Sequence, residues 1–169
     1  PQAYAAAATM LYQLMDDTKA VILDIGGFTA DYLLLKNGQA DLSTCDSLEN
    51  GIITLYNRLL SKIRADYDLL LEETDIDAIL TGRSTEYGSE IQSLVEHGAE
   101  SFVADLFRTL RERKIELRTG KVIFVGGGSL LLRKQIENSG KIGTAIFVEE
   151  ISANAAGYGL LYAATKANR

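Results

Sequence analysis

The sequence predicts an α/β domain built on a mixed sheet, with a three-stranded antiparallel part and helices packed around it. Three observations carry that prediction. Two short apolar runs, Val21-Ile22-Leu23 and Val122-Ile123-Phe124, each end in a glycine turn, Asp24 to Asp31 and Val125 to Ser129. The first turn leads into two runs separated by Asn37-Gly38, a strong hairpin signal. The remaining chain alternates helical periodicity with short strand-like segments.

Taken in order, Ala3 to Met15 is rich in helix formers, with Tyr4, Ala7, Leu11 and Leu14 at helical spacing. Val21 to Ile25 reads as a buried strand, Tyr32 to Leu35 and Gln39 to Thr44 as the hairpin. Ser47 to Ala65 carries a wide apolar stripe from Ile52 to Ile63 and predicts a helix. Thr74 is placed to cap a short helix that ends at Gly82, although Ala78 to Thr81 also fits a strand. Ser89 to about Leu117 is the longest helical stretch, with Gly98 a candidate interruption. Lys121 to Val125 is a strand, Ser129 to Glu137 a helix and Ala145 to Val148 a last strand. Ser152 caps a terminal helix, Ala153 to Lys166, whose small residues permit close packing.

Composition bounds the function. The 169 residues fit one domain, and 47% hydrophobic content is enough for a core. Seventeen basic and 23 acidic side chains give a net charge of −6, so direct nucleic-acid binding is not expected. The densest basic stretch, Arg108 to Lys114, contains Glu112 and reads as a solvated helix face, though a local basic groove is compatible with it. Cys45 is the only cysteine, which excludes an internal disulfide and fits a reducing, cytoplasmic compartment. No run approaches the roughly 18 apolar residues of a membrane span, and no signal peptide is recognisable. The start at Pro1 leads us to expect a segment of a longer polypeptide.

The chemistry concentrates in the two turns. Glycines after a strand let backbone N–H groups converge on an anion, and a following helix adds its positive end. Gly126-Gly127-Gly128-Ser129 suits that role, but alone it fits a helix-packing turn equally well. It is not a dinucleotide fingerprint, because Leu131 stands where the third glycine belongs. Val122 after Gly120-Lys121 excludes a P-loop. Asp24 closes an apolar strand, where a carboxylate is expensive unless it is paired, solvated at a cleft or linked to a metal. Beside a nucleotide it would hold Mg²⁺ through water or orient the attacking water; without one it would cap the turn. Asp31 reads as a hairpin residue, His97 as a surface helix residue and Cys45 as packing.

Asp24-Ile25-Gly26-Gly27-Phe28-Thr29-Ala30-Asp31 resembles the second phosphate motif of the actin, sugar-kinase and DnaK-type superfamily, D-[LI]-G-G-x-T-x-D. Val122 to Ser129 resembles its adenosine motif, and Pro1 to Ala6 its connecting helix. Ser152 to Gly159, with Asn154 and Gly157-Tyr158, resembles the final helix of the ParM-like plasmid-segregation and archaeal actin-like branch. The resemblance implies an RNase H-like (actin-like ATPase) domain over residues 1–169, the second, C-terminal nucleotide-binding domain, with the first domain absent. It implies ATP (or GTP) with Mg²⁺. Gly26, Gly27, Phe28 and Thr29 would face the β- and γ-phosphates, and Asp24 the metal or catalytic water. Gly126, Gly127, Gly128, Ser129 and Leu130 would lie beside the ribose and α-phosphate, and the helix near Gly51 to Ile63 on the adenine side.

The implied parent is a filament-forming ATPase of plasmid segregation or cytoskeletal movement, reaching DNA through an adaptor. The alternative is a non-polymerising nucleotide-binding scaffold of cell division or pilus assembly. A small-molecule kinase fits less well, since Arg64 to Gly88 is short for a substrate-binding insertion. A lone half-clamp should bind weakly and hydrolyse negligibly, because phosphoryl transfer depends on pre-positioned groups from both sides.

Overall fold

The computed structural model describes residues 19–148, other than Gly38, Ser84 and the Leu42 side chain. The helices expected at Ala3 to Met15 and Ala153 to Lys166, and the motifs in them, lie outside the described residues, as does the Gly38 half of the hairpin turn.

Five strands form one sheet in the order β3-β2-β1-β4-β5. β1 (Lys19–Ile25), β2 (Ala30–Lys36) and β3 (Gln39–Leu48) are the antiparallel part. β4 (Lys121–Val125) and β5 (Thr144–Phe147) run parallel to β1. The mixed sheet predicted from the sequence is therefore the observed one. Asn37 stands at φ 50° between β2 and β3, the left-handed backbone that a tight hairpin turn demands and Asn tolerates.

The helices α1 (Ile52–Tyr67), α2 (Glu73–Leu80) and α3 (Ser89–Glu112) share one core with Val21, Leu23, Ile25, Tyr32, Leu34, Val122 and Phe124. The alternate residues Ala20, Ile22, Leu33, Leu35, Ile123 and Val125 form a second cluster on the opposite face, and they are buried too. Burial on both faces explains why β1 and β4 read as continuous apolar runs and not as alternating ones.

Several boundaries differ from expectation. α1 starts at Ile52, not Ser47, because Ser47 and Leu48 continue β3 in register with Asp31 and Ala30. The Ser47 hydroxyl donates to Asp31, which fixes strand pairing as its sequence position implied. α2 is capped by Glu72, not Thr74: Glu72 and Asp75 form a reciprocal capping box. Ala78 to Thr81 is not a strand. α3 ends at Glu112, and Arg113 caps it while pairing with Asp46 of β3. Gly98 does not interrupt α3. Its missing Cβ admits Leu59 of α1, whose Cδ2 would lie 2.5 Å from an added methyl. The helix expected over Ser129 to Glu137 is two short ones, α4 (Gly127–Leu131) and α5 (Arg133–Asn138), divided at Leu132. There φ −95° and ψ 10° leave the helical range.

Candidate functional site

The two glycine turns leave adjacent parallel strands. Asp24 of β1 pairs in register with Val125 of β4, so both turns emerge from the same end of the sheet. This is where α/β sheets hold ligands, outside the carboxyl ends of their strands.

The first turn is clamped to α1. Gly51 N, Ile52 N and Ile53 N donate to the carbonyls of Phe28, Gly26 and Gly27 at 3.1, 3.1 and 2.9 Å. Those carbonyls satisfy the opening amides of α1, which has no side-chain cap. Gly51 is what permits the approach: an added Cβ would sit 2.5 Å from the Gly27 carbonyl carbon. With its carbonyls turned to α1, the turn leaves the N–H groups of Gly27, Phe28 and Thr29 without an acceptor among the described residues. Phe28 is 77% exposed and does not line the cleft that the two turns border.

The second turn is pressed against the first strand. Gly126 has φ +86°, open to glycine and strained for other residues, and an added Cβ would lie 2.6 Å from Ile25 O and collide with Asp24 Oδ1. Gly128 is equally hemmed in, by Ile52 Cγ1 at 2.5 Å and Ile25 O at 2.7 Å. Gly127 is the opposite case. Among the described residues, nothing lies within 4 Å of its would-be Cβ. Its empty side-chain direction opens on a cleft of about 640 Å³ bordered by Gly26 and Gly27 as well as Gly127 and Gly128.

Asp24 is 5% exposed, with one carboxylate oxygen against Gly126. It lies beneath both turns and not on the cleft wall. Ser129 is fully buried and its hydroxyl donates to Val125 O at 2.6 Å, so its side chain is occupied within the fold. Leu130 lines the cleft; Thr29 does not. α4 has only five residues, so the second turn offers backbone amides with little helix dipole behind them.

The cleft continues to Tyr56 of α1, in the helix the resemblance placed on the adenine side, and to residues the sequence did not single out: Glu73 and Asp77 of α2 and its cap Thr81. The Tyr56 hydroxyl donates to Asp77 Oδ1 at 2.5 Å. Burial, then the Asp77 carboxylate, pushes the Tyr56 phenol above its ordinary range. These residues come from distant segments, and the one available signal was the place of Tyr56 in an otherwise aliphatic stripe. Among the described residues, no group of three or more His, Cys, Asp or Glu side chains could hold a metal unaided. His97 is exposed on α3 with Nδ1 2.7 Å from Ser93 O, and Cys45 packs at the edge of the second cluster. No helix among the described residues is long and apolar enough to cross a membrane.

The family model for the archaeal actin homologue MreB-like C-terminal domain matches residues 22–138. The chain belongs to that family. Its fold is that of actin-like ATPases. A crystal structure of Ta0583, an archaeal actin homolog, matches with a TM-score of 0.67 at 23% identity, over 98% of this chain and 55% of that one; Ta0583 has also been solved as a complex with ADP. A non-polymerisable quadruple mutant of pCBH ParM matches at TM-score 0.69 and 14% identity, over 96% and 52%. The Alp12 filament structure matches at 0.67 and 18%, over 98% and 52%. The chain thus spans about half the length of these neighbours. No curated protein matches it.

Proposed function

We propose that this chain is the C-terminal nucleotide-binding half of an actin-like ATPase, and that the two glycine turns hold the nucleotide's phosphates between them. One observation carries the reading: the turns border a single cleft, and Gly127 is open to it while Gly51, Gly126 and Gly128 are closed by backbone. A cradle of this kind accepts phosphate only where a Cβ is missing. The amides of Gly27, Phe28 and Thr29 are directed to the β- and γ-phosphates, and those of Gly127 and Gly128 to the α-phosphate side. Leu130, Tyr56, Asp77 and Thr81 then fall to the nucleoside. The Ser129 hydroxyl, tied to Val125, contributes packing. Asp24, buried beneath the turns and off the cleft wall, would serve the metal side through water. Mg²⁺, when bound with nucleotide, would neutralise developing charge on the phosphates. ADP in Ta0583 supports the ligand class, and the Alp12 filament supports self-association of the full-length protein. Segregation of DNA through an adaptor remains the most economical use of such a filament in a chain of charge −6.

Equilibrium binding of ATP and GTP to the full-length protein tests the reading. Gly127→Val should weaken binding by ten-fold or more while shifting the urea midpoint little, because the added Cβ has no atom of the described residues within 4 Å and borders the cleft. Unchanged affinity in a folded Gly127→Val protein would overturn the placement.

A further inference from the structure

We propose a second anion site at the other end of the sheet, a cavity for a small phosphate-bearing organic molecule. The cavity holds about 320 Å³ between the last turns of α3, the segment Ile115 to Arg118 and Lys141. That volume is at the small end of ligand pockets. β4 starts at Lys121, three residues after Arg118 of the cavity lining, and reaches Val125 at the glycine turns after roughly 13 Å of strand.

Four cations line the cavity against two carboxylates, in a chain whose net charge is −6. Arg108 is already engaged, 3.0 Å from Asp105, and Asp105 is also 3.7 Å from Arg58. Glu116 accepts from the Arg118 N–H at 2.8 Å. The side chains of Arg111, Arg118 and Lys141 have no ion-pair or hydrogen-bond partner among the described residues. A cation at a helix C-terminus is ordinary, and that accounts for Arg111. It does not account for Arg118 or half-buried Lys141, which reach the same hollow from two other segments. Arg111 and Arg118 are exposed and Lys141 is half-buried; four cations less two carboxylates leave the lining at +2, which favours an anion. Two guanidinium forks match phosphate oxygens in pairs, and the ammonium adds a point charge. Phe107, Ile115 and Leu117 are buried at the cavity and give it an apolar floor for the organic part of the ligand.

Calorimetric titration of the full-length protein with phenyl phosphate and with inorganic phosphate provides the test. Phenyl phosphate should bind saturably, at least five-fold more tightly than inorganic phosphate, and more weakly as salt rises. Arg118→Gln with Lys141→Gln should reduce that affinity ten-fold or more, Lys141→Arg should retain it, and Gly127→Val should leave it unchanged. No saturable binding at millimolar probe would overturn the proposal, as would unchanged binding in the double variant. Loss in Gly127→Val alone would assign the probe to the glycine-turn cleft and likewise overturn it. Equal affinity for the two probes would overturn the organic-ligand assignment, since the apolar floor would then contribute nothing.

Discussion

Single atoms decide the site. Gly51 adopts φ −82°, which any residue can adopt, so its requirement is space and not conformation. Gly51→Ala should cost about 2–3 kcal/mol, because backbone atoms on the first turn cannot yield as a side chain would. Urea denaturation of the full-length protein would read this as a lowered midpoint with unchanged slope. Gly26, Gly27, Gly126, Gly127 and Gly128 stand out in the sequence, but the packing role of Gly51 does not, since its neighbours Gly27 and Phe28 lie more than 20 residues earlier in the chain. Tyr56 adds a pH dependence. Its folded phenol keeps its proton where an unfolded tyrosine loses one, near pH 10. The stability this represents is present below about pH 10 and declines as pH rises beyond it. Tyr56→Phe should flatten that alkaline decline, at a cost of about 1 kcal/mol near neutrality from the lost bond to Asp77. Denaturation midpoints at pH 8 and pH 10.5 measure both effects.

Elements were legible where burial and local signals agreed. β4 was read to the residue, as five apolar-centred positions between Gly120 and Gly126. α1 was read too early, because Ser47 resembles a cap while tertiary pairing with Asp31 keeps it in β3. The break at Leu132 left no trace in sequence, for leucine is a good helix former. In the fold, α4 seats Gly128 on Ile25 and Ile52, and Leu132 at the break is fully buried. Gly98 is the informative intermediate. Its would-be Cβ meets only the mobile end of Leu59, so Gly98→Ala gains helix propensity of roughly 1 kcal/mol and loses a similar amount to repacking. The net change in thermal midpoint should lie within about 3 °C, in contrast to Gly51→Ala.

At the scale of the molecule, the proposed function makes this chain one face of a clamp, so the proposed ATPase activity is a property of the full-length protein. In the full-length protein, Asp24→Ala should reduce ATP turnover at least a hundred-fold while changing nucleotide affinity only a few-fold, because the amide cradle is intact. Sedimentation with ATP should then show filaments that form and do not disassemble; wild-type-like turnover would remove Asp24 from the chemistry. The junction between the first turn and α1 has a mechanical side. Three amides bolt the 16-residue helix to the loop, so the two move as one body. At 1.5 Å per residue α1 is about 24 Å long, and a 5° tilt of the loop swings its far end by about 2 Å. Tyr56, about 6 Å along the helix, would pass about 0.5 Å of that motion to α2 through Asp77. With a phosphate held there as proposed, the first glycine turn would be the fulcrum of a lever whose far end lies about two nanometres away.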